Sequence, residues 1–420
     1  MLRTFALLLI INIHLVINGQ INFLVKDTLC VNDSVTVTNL SGDASTYYWH
    51  FCSANLSYAP QEGPGLGNSG NLNGPAFIGL VKDENENYYS FITNHTDGSI
   101  TRLYIGKNLL STPTATNLGN ISGIIPLHTE GIQIKFSNGN WYGFIVGGLA
   151  GESRLVRLDF GNSLSNTPIA VNLGNIGNLA YPIDLYLFEE GGKWTGFTVN
   201  NSSSTITRFD FNNGLNNPPT GINLGNIGNL SQPSGIMPVK ADGNWHFFIT
   251  NYNTHAITRL DFGPSLSNTP QSAQFNNLSG LTYPFDLSII RDCGKHFGFL
   301  LSRYGNAVRL DFPAGLDSEP VVTGLGNIGS LSGAHGISDV YREGDTIYMY
   351  IANSANSTIS RIYYPTCNAP TLFTSTERYP PKFAYKFEGN FNIQLVMDKG
   401  LPTEKAFCME VLLFSPIASH

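Results

Sequence analysis

The sequence predicts an all-β protein, a six-bladed β-propeller threaded into a second, smaller β domain. Three observations carry that prediction. One motif recurs six times, four strand-like runs lie between recurrences, and the count of outermost strands is one short until a stretch near the N-terminus is added. Composition agrees: glycine reaches 44 residues and charged residues make up only 13% of the 420, about half the usual share. Glycine and the abundant asparagine tolerate positive φ, as tight turns between short strands require.

The motif reads ITRLYIG from residue 100, LVRLDFG from 155, ITRFDFN from 206, ITRLDFG from 257, AVRLDFP from 307 and ISRIYYP from 359. Its arginines, Arg102, Arg157, Arg208, Arg259, Arg309 and Arg361, are spaced by 55, 51, 51, 50 and 52 residues. In the third unit the four runs are PIDLYLF (182–188), WTGFTVN (194–200), TITRFDF (205–211) and TGINLGN (220–226), rich in β-branched and aromatic residues. Four strands per unit with no helical period between them describe a propeller blade. First, second and third strands each number six. Fourth strands ending near Leu118, Leu173, Leu224, Phe275 and Leu325 number five. The segment NLSYAPQEGPGLGN (55–68) aligns with SLSNTPIAVNLGN (163–175), so it is expected to complete the last blade and close the ring.

The N-terminus, MLRTFALLLIINIHLVINGQ, has a basic Arg3, an apolar run and a small Gly19. It reads as a secretory signal peptide over residues 1–19, with no membrane insertion after its cleavage. The net charge is −7 and no Lys/Arg run occurs, which argues against nucleic acid as a partner. Secretion makes disulfides possible for the five cysteines, none of which lies in a CxxC pair.

Residues 20–54 and 367–420 remain outside the predicted propeller (55–366). Each carries alternating apolar positions, as in VTVTN and FNIQLVM. Joined, DSVTVTNLS, YYWHF and STERYPPKFAYKFEGNFNIQLVM resemble a PKD domain, with Pro380, Tyr385, Gly389, Phe391, Ile393, Leu395 and Val396 in the expected places. His50 stands where that family has Asp, and Cys52 where it has Gly. The resemblance implies an immunoglobulin-like sandwich with the propeller inserted in one of its loops, an architecture similar to secreted Bacteroidetes proteins. On that arrangement Cys52 and Cys367 flank the insertion and Cys30 and Cys408 lie in the two halves of the sandwich. The expected disulfides are Cys52–Cys367 and Cys30–Cys408, with Cys293 free.

The third-strand arginines, four of them in Arg-x-Asp pairs, read either as a charged ligand ring or as a contact repeated between blades, and their presence in every blade favours architecture. The recurring NLGNIGNL segments are turns, since no helix follows to make a phosphate loop. Ligand binding in a propeller requires broken symmetry near the axis. First-strand starts and second-strand ends are expected on one face, where they bring His128, Glu130, Asp184, Asp286 and His335 together with Asn94, Asn200, Asn251 and Asn353; adjacent loops add His95, His255 and Arg303. These groups line a channel or bind a ligand. No cofactor is implied, although Asn and carboxylate oxygens suit calcium. No catalytic motif stands out. The sequence therefore reads as a secreted or cell-surface binding or adhesion protein for an extracellular glycan or protein, the PKD-like part serving as spacer or anchor. The alternatives are a calcium-dependent propeller enzyme of lactonase or lyase type and a structural module of a surface machine.

Overall fold

The computed structural model describes residues 21–415, apart from 213, 277, 279–281 and 400–403. The expected signal peptide, residues 1–19, lies outside the described residues. The chain separates into two compact units, Met1–Asn55 with Thr366–His420, and Leu56–Pro365. Among the described residues no helix is long and apolar enough to cross a membrane.

The larger unit is a six-bladed β-propeller; five blades are antiparallel meanders of four strands, and in blade 6 the innermost strand is broken into Ala334–Ile337 and Tyr341–Glu343, both paired with Thr346–Asn353. The innermost strands of blades 1 to 6 are Pro75–Lys82, Thr129–Ser137, Pro182–Glu190, Pro233–Ala241, Pro284–Asp292 and Ala334–Ile337. The second strands are Tyr88–Asn94, Asn140–Gly147, Lys193–Asn200, Asn244–Asn251, Lys295–Ser302 and Thr346–Asn353. Blade 6 takes its outermost strand from the start of the unit: Gln61–Glu62 pairs with Thr358–Tyr364, Gln61 opposite Tyr363. Neighbouring blades cover both faces of every sheet, so second strands are buried almost throughout and read as continuous apolar runs rather than alternating ones.

Two repeated devices hold the ring. In register with each motif arginine, on the second strand of the same blade, sits a buried aromatic: Phe91, Phe144, Phe197, Phe248, Phe299 or Tyr350. Each guanidinium then reaches a loop carbonyl of the next blade: Arg102 to Leu164, Arg157 to Leu215, Arg208 to Leu266, Arg259 to Leu316 and Arg361 to Leu109. Arg309 completes the circuit by donating to the carbonyl of Leu56, at the head of the closing segment. The arginines are therefore structural.

At the axis, Gly131, Gly235 and Gly336 alternate with Phe77, Asp184 and Asp286. A Cβ on Gly336 would lie 2.5 Å from the Ala76 carbonyl oxygen and 2.8 Å from Phe77 Cα, and one on Gly131 2.7 Å from Leu185 N. Glycine in alternate blades lets the innermost strands pack this closely.

The smaller unit has a five-stranded sheet in the order Thr28–Cys30, Lys405–Phe414, Gly389–Met397, Tyr47–Ser53 and Thr374–Ser375, and a two-stranded sheet of Phe23–Leu24 and Thr38–Asn39. Its core gathers Phe23, Trp49, Phe51, Ile393, Leu395 and Val411. Trp49 Nε1 donates to the Glu377 carbonyl and the Tyr385 hydroxyl to that of Phe51, so both buried polar tips are satisfied. A disulfide joins Cys52 to Cys367. The expected Cys30–Cys408 bridge is not formed. Cys30 is a free thiol, while Cys408, and Cys293 contrary to its expected free state, are disulfide-bonded. Register explains the failure: Cys30 lies opposite Phe414, six residues along the strand from Cys408. That offset is about 20 Å at strand rise, far beyond disulfide reach.

Candidate functional site

In each blade one residue leads into the innermost strand and another follows the second strand. These are Gly74 with His95, His128 with Gly148, Tyr181 with Asn201, Gln232 with Tyr252, Tyr283 with Arg303, and Gly333 with Ser354. The second residue of every pair donates its backbone N–H to the carbonyl of the first, so six identical clips form one ring at one mouth of the central channel. The clip forces the leading residue into the left-handed region: φ is 61° at Gly74, 55° at His128, 51° at Tyr181, 49° at Gln232, 46° at Tyr283 and 60° at Gly333. Glycine is the unstrained choice there, and only two blades use it. The other four keep a side chain at a cost of about 1 kcal/mol or more each. The backbone is six-fold; the side chains it displays are not.

On one side of this mouth Glu130, fully buried, collects three donors. His95 Nδ1 lies 2.7 Å and the Tyr181 hydroxyl 2.8 Å from Oε1, and His335 Nε2 lies 2.8 Å from Oε2. His128 Nδ1 lies 2.7 Å from His95 Nε2. A carboxylate only accepts, so His95 donates from Nδ1 and His335 from Nε2, and the contact between His128 Nδ1 and His95 Nε2 places one proton between two ring nitrogens. Burial alone would raise the Glu130 carboxyl, but the charge and hydrogen bonds of His335 and His95 hold it down to about 2. Burial and then Glu130 push the Tyr181 phenol up, and burial pushes the His335 imidazole down. The network spans blades 1, 2, 3 and 6. It crosses blade 1 because Ala76 occupies there the position held by Glu130 and His335 in theirs.

On the other side stand aromatic rings. Tyr283 touches Tyr252 at 5.2 Å, Tyr304 at 4.9 Å and His255 at 4.3 Å between centroids. Tyr304 is 68% and Tyr283 36% exposed. Arg303 joins the two sides: its guanidinium lies 5.2 Å from the Phe285 ring, which in turn packs 4.4 Å from His335. Arg303 Nη1 donates to the Gly333 carbonyl and to Ser354 Oγ.

The expected site residues thus divide. His128, Glu130, Arg303 and His335 come together at the mouth. Asn94, Asn200, Asn251 and Asn353 are fully buried; each accepts a backbone N–H from the loop before the innermost strand and donates to hydroxyls of the third strand, so they are turn clamps rather than ligand groups. Asp184 accepts from Leu185 N and Ile236 N, and Asp286 from Leu287 N and Ile337 N, bolting alternate blades together. Burial pushes the Asp184 carboxyl up to about 7 and Asp286 well above the carboxylate range. Calcium does not suit these groups. The two aspartates spend both oxygens on N–H donors, and Glu130 is ringed by imidazole and phenol donors. Sequence reasoning missed Tyr181, Gln232, Tyr252, Tyr283 and Tyr304. For Tyr181, Gln232 and Tyr283 the available signal was a bulky residue directly before the proline of an innermost strand, where blade 1 has Gly74.

The chain matches no family model and no curated protein. Among solved structures it is similar to a mutant of the Aleuria aurantia lectin in complex with Fucα1-6GlcNAc, at 9% identity and TM-score 0.49 over 73% of this chain and 96% of that one. It is also similar to a mutant of NanB sialidase from Streptococcus pneumoniae, at 10% identity and TM-score 0.48 over 74% and 71%. A thermostable family-43 glycoside hydrolase aligns at 12% identity and TM-score 0.39 over 74% and 96%. These are likenesses of fold, and the chemistry of the mouth rests on its own residues.

Proposed function

We propose that this protein binds a glycan at the channel mouth defined by His128, Tyr181, Gln232, Tyr283 and Arg303. The observation that carries the reading is the left-handed backbone at four positions that keep a large functional side chain where glycine would be unstrained. Left-handed backbone also recurs at Asn71, Ser122, Asn178, Asn229 and Ser330, but those positions carry small turn-forming residues, whereas the large side chains kept at the mouth, on the face where the blades differ, mark the surface under functional demand. The chemistry suits a sugar. Exposed tyrosine rings offer flat apolar platforms for the C–H face of a pyranose, and the guanidinium, imidazole and amide groups supply directional partners for hydroxyls.

The protein acts outside the cell, either secreted or displayed at the surface. Its disulfides are consistent with an oxidising compartment. The smaller unit, with its PKD-like sequence pattern, serves as spacer or anchor for the propeller. A glycan array probed with the purified protein, followed by calorimetry on any hit, tests the reading. Saturable binding that Tyr304→Ala abolishes supports it, and binding untouched by Tyr304→Ala and Tyr283→Gly moves the site elsewhere.

A further inference from the structure

Past the buried Glu130–His335 layer, the channel widens toward the far ends of the innermost strands into a cavity of about 350 Å³. Its walls are apolar where Ile134, Met237 and Leu287 face it. Two charged side chains line it without partners. Lys135, on the blade 2 strand, has only the Tyr186 ring, 5.5 Å from its ammonium, and takes part in no hydrogen bond or ion pair among the described residues. Asp339, just beyond the blade 6 strand, likewise has no side-chain partner among them. The two charges feel each other and both feel the low-dielectric wall: burial pushes Lys135 down and Asp339 up, each countered by the other. Tyr186 stands within reach of both, its phenol raised first by Asp339. Blade 1 lies between the strands that carry them, so the rigid ring keeps them from closing into a salt bridge. An unpaired charge held in a partly desolvated cavity is costly. A single counter-ion would relieve only one of the two.

We propose that this cavity binds a small zwitterion of the α-amino-acid class, its carboxylate on Lys135, its ammonium on Asp339 and its side chain against the apolar wall. The volume lies within the range of small-molecule sites. The inference is independent of the glycan reading, since it concerns the opposite end of the channel.

The test is a thermal-shift screen of the full chain against the twenty L-amino acids, with calorimetry on hits. Each hit is compared with its decarboxylated amine and its deaminated acid. The expected result is a saturable rise in Tm with at least one amino acid, and at least tenfold weaker binding of either singly charged analogue. Lys135→Met and Asp339→Asn should each weaken binding at least tenfold. No shift with any amino acid, equal affinity for a singly charged analogue, or retained affinity in both variants would overturn the proposal.

Discussion

Replacing Arg309 tests how the ring closes. Arg309 is 9% exposed at its side chain and pairs with Asp311 through Nε at 2.7 Å and Nη2 at 3.0 Å. Its Nη1 donates to the carbonyls of Leu56 and Tyr58. Arg309→Met keeps the stem against Phe299 and removes every one of these bonds. Charge-assisted hydrogen bonds contribute about 1.5–3 kcal/mol each when a buried partner is left unsatisfied. Asp311 is partly exposed and regains water, so the loss concentrates on the two carbonyls and totals about 3–4 kcal/mol. At roughly 2 °C per kcal/mol for a unit of this size, the propeller transition falls by about 6–8 °C in calorimetry. Limited proteolysis should meanwhile cut within residues 57–66, whose strand is no longer tied down. Asp311→Asn, which keeps the carbonyl bonds, should lose only about 1 kcal/mol. A loss below about 1 kcal/mol for Arg309→Met, with the closing segment still protected, would refute the idea that this arginine fastens the ring.

Glu130 gives a pH signature. Its folded carboxyl, held at about 2, lies below its ordinary 4.5, so its stabilisation is present above pH 4.5 and is lost as pH falls toward 2. At about 1.4 kcal/mol per pH unit the loss reaches about 3 kcal/mol, and Glu130→Gln should flatten that acid limb of a Tm-against-pH profile. Gly336→Ala should destabilise the propeller by about 2 kcal/mol or more, because its Cβ would meet the Ala76 carbonyl and Phe77 Cα, both backbone atoms that cannot swing away. Gly324→Ala, where a Cβ meets nothing within 4 Å, is the matched control and should change Tm little.

What the sequence disclosed is what repeats. The period of about 50 residues fixed the blades because each must bury both faces, which forces the same apolar run, the same arginine and the same turn into every copy. The closing strand was legible for the same reason: Leu56 and the glycines after it match their counterparts in other blades. The mouth was only half legible. His128, Glu130 and His335 were visible as breaks in the pattern, but the contacts joining them run between blades 2, 1 and 6, some 200 residues apart in sequence. The asparagines misled because their conservation from blade to blade reflects a turn that must be clamped. Tyr181 and Tyr283 were hidden because positive φ is a property of the clip, not of the residue. The Cys30–Cys408 pairing failed on register, which counting cysteines does not supply.

The central claim is that strain at the mouth is kept for binding, and Tyr283→Gly tests it most directly. At φ 46° glycine relieves about 1 kcal/mol of backbone strain, which offsets the lost contacts of a ring that is already 36% exposed. The account predicts a propeller Tm within about 2 °C of the parent together with at least a tenfold loss of affinity for whichever glycan the parent binds. A variant that binds as tightly as the parent, or one that unfolds while Tyr304→Ala still binds, would contradict it.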